Sequence, residues 1–165
     1  IKTMGTVFIV IALMLAVLFR SIPLALIGVV PTLFAAASIL GLMGWLGIPL
    51  DIMTITIAAI TIGIGVDNTI HYTHRFVEEV TGDGPAHGDY WAAMRNTHGS
   101  VGRAIYSTSI TVTVGFSILA LSNFVPITYF GLFTGLAMLL ALIANLTLLP
   151  LLFALVKPIR VPATS

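Results

Sequence analysis

Five apolar runs, parted by breaks of a few residues and by one longer polar stretch, dominate this chain. They fall at about 4–19, 23–46, 52–76, 101–121 and 127–156. A hydrocarbon core of about 30 Å takes about 20 helical residues to cross, with a range of about 17–25. Each run therefore predicts a transmembrane helix. The first is short, and the last is long enough to tilt or to run past the bilayer, with Pro150 placed to kink it. Hydrophobic residues make up 58% of the chain and charged residues 8%. Soluble domains carry about 25% charged residues, so this chain cannot cover itself with a solvated surface. The expected fold class is an all-α membrane protein, a single module of five transmembrane helices.

Charge and cysteine content exclude several functions. A formal net charge of +1 without any basic run argues against nucleic acid as a partner. The absence of cysteine removes disulfides, a thiol nucleophile and thiolate metal sites. Lys2 followed by the first apolar run superficially looks like a signal peptide. That run ends at Arg20-Ser21-Ile22-Pro23 instead of a small-x-small cleavage site, and a second span follows directly. It reads as a membrane helix, in a chain expected to be part of a longer protein.

Basic residues near span ends set the expected orientation. With the N-terminus outside, the inside face holds Arg20, Arg75, Arg95, Arg103, Lys157 and Arg160, and the outside keeps only Lys2. The C-terminus is then cytoplasmic, as is the polar loop 78–100. Within that loop Thr81-Gly82-Asp83-Gly84-Pro85 is a turn cluster. Asp89 can cap a short helix carrying Tyr90, Trp91 and Met94, suited to the membrane interface or to a simple lead-in to the fourth span.

The third run contains a carboxylate, Asp67, followed by an amide, Asn68. A charged side chain in the hydrocarbon costs about 2.5–3.5 kcal/mol on insertion scales, so such residues usually have a function. At 1.5 Å per residue, Asp67 lies roughly 22 Å from the outer end of its helix and roughly 12 Å from Arg75. Desolvation favours the neutral form of a carboxyl group, so an acid at this depth can cycle between two protonation states. Asp67 is therefore the candidate proton relay, with Asn68 beside it and His71 one turn further inward. A register-fixing packing role is the alternative for Asp67, as interhelical hydrogen bonding is for Asn68.

Residues four apart share a helix face. Thr56, Ala59, Gly63, Asp67 and His71 form one small-and-polar stripe, and Arg103, Ser107, Thr111 and Gly115 form another, with Thr108 close by. Both stripes are expected to face protein, packed against each other, with Ser107, Thr108 and Thr111 as hydrogen-bond partners around Asp67. Gly63, Gly65 and Gly115 are candidate packing positions, as is the Gly131-x-x-x-Gly135 motif. His71 and His74 have metal-compatible spacing but no convincing third ligand. Ser107 and Ser109 have no base beside them, so no enzyme activity and no cofactor are expected.

The stretch from Gly63-Ile64-Gly65-Val66-Asp67-Asn68 through His71-Tyr72-Thr73-His74-Arg75-Phe76 resembles the acid-bearing helix of resistance–nodulation–division superfamily permeases, above all lipid exporters of the MMPL type. Gly102-Arg103-Ala104-Ile105, Ser107-Thr108-Ser109 and Leu121-Ser122-Asn123-Phe124-Val125-Pro126 resemble the next helix and its exit. Phe130-Gly131 and Leu148-Leu149-Pro150 are similar to the final helix, so the likeness covers nearly the whole chain. Gly65-Val66-Asp67-Asn68 is also similar to sterol-sensing domains, which share the five-helix module. Many relatives place an acid or tyrosine after the aspartate, where this chain has Asn68.

The resemblance implies one half of a pseudosymmetric transporter core in the bacterial inner (plasma) membrane. Its partners would be membrane lipids, the other half of the core, extracytoplasmic domains outside this chain, and a hydrophobic or lipidic substrate exported at the expense of the proton-motive force. A sterol- or lipid-sensing membrane module without pumping activity is the alternative.

Overall fold

The computed structural model describes residues 2–49 and 51–159, with side chains from residue 5 onward. Arg160 and the tail beyond it, counted above among the inside charges, lie outside the described residues. The described chain is helical: α1 (Lys2–Phe19), α2 (Ile22–Trp45), α3 (Ile52–Thr81), α4 (Tyr90–Thr97), α5 (Arg103–Ile118), α6 (Val125–Ile143) and α7 (Leu149–Val156). A π-turn at His98–Gly102 joins α4 to α5, and another at Ala144–Leu148 joins α6 to α7. The result is four rods long and apolar enough to cross a membrane, Ile22–Trp45, Ile52–Thr81, Tyr90–Leu121 and Val125–Val156, with a shorter apolar helix ahead of them. The protein is a multi-pass all-α membrane protein.

Local chemistry places the helix starts. Pro23 and Pro126 stand in the first turns of α2 and α6, where a missing N–H costs nothing. Asp51 caps α3 through a capping box, accepting from Thr54 N–H while Thr54 Oγ1 accepts from Asp51 N–H. Asp89 caps α4 by accepting from the amides of Trp91 and Ala92.

The polar stretch 78–100 is more ordered than its composition suggests. Helix α3 continues to Thr81, and the fourth rod already begins at Tyr90. Arg75 pairs with Glu78 at 2.9 Å and with Glu79 at 2.5 Å, and Asn96 donates to Glu79 at 2.9 Å, tying the two helices together. Beneath them Phe76 stacks on Phe153 with ring centroids 4.6 Å apart and meets the edge of Tyr90 at 5.6 Å. Each such aromatic pair adds about 0.5–1.5 kcal/mol to ordinary apolar burial. These contacts let both rods extend past the apolar boundary.

Helices α2, α3 and α6 pack on one another at the centre, α1 lies against α2, and α5 lies against α6. The α5–α6 contact is set by glycine. A Cβ on Gly131 would lie 2.6 Å from the Phe116 carbonyl oxygen and 2.7 Å from Leu119 Cβ, and one on Gly135 would lie 2.9 Å from Ser117 Oγ. Gly65 plays a similar part between α3 and α2, where a Cβ would approach Thr32 Oγ1 to 3.1 Å.

This difference is testable by thermal melting in detergent. Gly131→Ala forces backbone apart and is expected to destabilise by about 1–3 kcal/mol. Gly115→Ala, at a position where a Cβ meets no other helix within 4 Å among the described residues, is expected to leave the midpoint of this segment, melted by itself, unchanged or slightly raised.

Candidate functional site

Two faces of α3 carry polar groups, and the fold separates them. The inner face presents Thr61, Gly65, Asn68, Thr69, Tyr72 and Thr73, all buried. The outer face presents Thr56, Ala59, Gly63, Asp67 and His71, all exposed. The stripe expected to pack against α5 is thus turned away from the interior of this chain. Both faces are rich in small and hydroxyl-bearing residues, so either satisfies the same periodicity, and the tight approach of Gly65 to Thr32 selects the other one.

Asp67 and His71 form a pair one helical turn apart, with Nε2 and Oδ1 separated by 3.5 Å and side chains 67% and 69% exposed for His71 and Asp67 respectively. They open onto a groove of about 320 Å³ whose other walls are Asn68 and, from the fourth rod, Val101, Ala104, Ile105 and Thr108. One side of the groove carries an acid, an amide and an imidazole, and the other is mainly aliphatic. The described residues therefore leave Asp67 exposed, where burial was expected.

The expected ladder of hydroxyls around Asp67 is not formed either. α5 packs chiefly on α6, and it meets α3 only slightly, where Asn68 Nδ2 donates to Ser109 Oγ at 3.4 Å. Ser107 and Thr111 are exposed, and the Thr111 hydroxyl donates to the Ser107 carbonyl of its own helix. Thr108 reaches the groove wall without bonding the carboxylate. At Gly63 and Gly115, read as packing positions, a Cβ would meet no other helix within 4 Å among the described residues. They lie on the exposed faces of their helices, in the stripes of Asp67 and Thr111. Among the described residues no three His, Cys, Asp or Glu side chains converge as a metal site would need.

The residue that sequence reasoning missed is Asn145. It is fully buried in the π-turn after α6, accepts from Thr69 Oγ1 at 2.7 Å and reaches the Gly65 carbonyl with Nδ2 at 3.5 Å. Its signal was available: it is the single amide in the last apolar run. The argument that singles out Asp67, a strongly polar group in hydrocarbon, applies to it equally. Asn145 and Thr69 lock α6 to α3 directly behind the helix face that carries Asp67.

A model of the MMPL family matches residues 1–163. The chain is also 32% identical over 145 residues to MJ1562, described as a membrane protein, from Methanocaldococcus jannaschii. That alignment covers 88% of this chain and 36% of the relative, so the chain spans about a third of the relative's length. No solved structure matches it.

Asn145→Ala strands the Thr69 hydroxyl in a buried site and is expected to cost about 1–3 kcal/mol, read as a lowered melting temperature in detergent. The double change Asn145→Leu with Thr69→Val removes both partners together and is expected to cost less than the single one. A double variant as unstable as the sum of its parts would show that the bond does not lock these helices.

Proposed function

The chain belongs to the MMPL family, and on that footing we propose that it is the membrane half of a proton-driven exporter of hydrophobic or lipidic molecules, residing in the plasma membrane. The observation that carries this reading is the Asp67–His71 pair, 3.5 Å apart and exposed on a helix otherwise fit to lie in hydrocarbon. Acyl chains cannot solvate a carboxylate, and the cost of about 2.5–3.5 kcal/mol or more disfavours a lipid-facing acid. That face therefore calls for a cover of protein and water. A second half of the core, built on the same plan, supplies it, and the exposed glycines Gly63 and Gly115 permit close approach of its helices.

In this reading Asp67 is the protonatable group and His71 passes the proton toward the cytoplasm. Asn68 holds α3 to α5 through Ser109, so that the acid keeps its place at the groove. Thr108 and the exposed Ser107 and Thr111 serve the interface with the opposing half, not the carboxylate directly. A proton crossing a membrane potential releases about 2.3 kcal/mol per 100 mV. The apolar wall of the groove, Val101, Ala104 and Ile105, suits closure against aliphatic side chains when the acid is neutral. Substrate recognition belongs to parts of the protein beyond this chain.

Asp67→Asn in the full-length protein is expected to abolish energised export while leaving membrane insertion and protein level intact. Transport that survives this change, or that ignores an uncoupler, would point instead to a lipid-sensing module that does not pump. Orientation is tested separately, because the chain has no cysteine of its own. Single cysteines replacing the exposed Asp83 and Asn123 are expected to react with impermeant thiol reagents only from the cytoplasmic side and only from the outside, respectively.

A further inference from the structure

The two π-turns meet. Gly102, at the end of the first, packs near Leu146 in the second: a Cβ there would sit 3.6 Å from Leu146 Cδ2. His98 opens the first π-turn, and its imidazole lies between α3 and the second. Nε2 is 3.0 Å from the Leu146 carbonyl oxygen. Nδ1 is 2.7 Å from the Tyr72 hydroxyl and 3.3 Å from the Met94 carbonyl oxygen.

The hydrogen on this ring can be placed by its neighbours. A carbonyl only accepts, so the Leu146 contact requires the hydrogen on Nε2. Nδ1 then accepts from the Tyr72 hydroxyl, the shorter of its two contacts. The opposite tautomer would donate to Met94 at 3.3 Å but would set a bare Nε2 lone pair against the Leu146 oxygen.

Residue 150 supplies the reason for the contact. In an α-helix the carbonyl of residue 146 accepts from the N–H of residue 150, and residue 150 is proline, which has none. The chain responds by widening a turn, with Leu149 N–H donating to the Ala144 carbonyl five residues back. The Leu146 oxygen is then met from outside the helix by His98.

We infer that His98 is a positioning residue: it replaces the donor that Pro150 removes, and so ties the bend of the last rod to α3, the helix bearing Asp67 and His71. Tyr72, the other end of the tie, is fully buried and follows His71 directly in sequence. A movement of α3 along or about its axis is passed through Tyr72 and the imidazole to the π-turn. The half of this inference that concerns transport rests on the proton-driven reading above. The half that concerns the tie does not.

Amide hydrogen exchange over residues 144–152 of the full-length protein tests the tie. His98→Ala is expected to raise exchange there about tenfold, as loss of one buried hydrogen bond does. His98→Gln, whose amide both donates and accepts, is expected to hold exchange near the native rate. Pro150→Ala returns an N–H to residue 150, so adding His98→Ala to that variant should alter exchange by no more than about twofold. Equal effects of His98→Ala in both backgrounds would overturn the assignment. If His98→Ala alone does not accumulate, recovery of folded protein in the Pro150→Ala background supports it, and continued loss overturns it.

Transport then reads the coupling. His98→Ala is expected to lower kcat with KM unchanged, because substrate recognition belongs to parts of the protein beyond this chain, and His98→Gln is expected to restore kcat. Raised exchange with native kcat would overturn the coupling. Failure of the proton-relay reading looks different: transport would survive Asp67→Asn while the exchange results stood unaltered.

Discussion

Inside a bilayer, a polar group that finds no partner in the protein finds none at all, and this constraint organises the whole chain. Among the described residues both amides of the apolar runs are answered by a neighbour, while the buried hydroxyls of Thr32, Thr73, Thr113 and Thr134 are not. Asn145 takes the Thr69 hydroxyl, and Asn68 reaches Ser109. The Leu146 carbonyl, deprived of its helical donor by Pro150, takes His98, which takes Tyr72. The Asp67–His71 pair stands apart, its polar groups answering one another and then facing out of the chain.

The interior is built around α3. Its buried face uses Gly65 for close approach to α2 and Thr69 for the bond to Asn145, so two helices are fixed to it by different means. The glycine contacts Gly131 and Gly135 fix α5 to α6, which leaves the fourth rod as the least buried of the long four. The groove thus has one wall held firmly by the core and another held mainly through α6.

Much of the fold was legible. The apolar runs located the rods, and Asp89 caps the short helix that it was expected to cap. Gly131 and Gly135 lie where α6 comes close to α5. The extent of order in 78–100 was not legible, because the ion pairs of Arg75 and the Phe76–Phe153 stack join residues from separate elements. The chain likewise gave no hint that Leu146 would need His98, since that pairing spans 48 positions.

Sequence by itself determined that this is a helical membrane protein with an acid in one of its apolar runs, because hydrophobic length and composition are properties of a segment alone. Tertiary structure decided which side of α3 faces inward. Two faces of that helix carry small and hydroxyl-bearing residues at the same period, and tertiary contacts such as the fit of Gly65 to Thr32 and the bond from Thr69 to Asn145 distinguish them. The consequence is that Asp67 looks outward, toward whatever closes the groove, and not into the five-helix bundle.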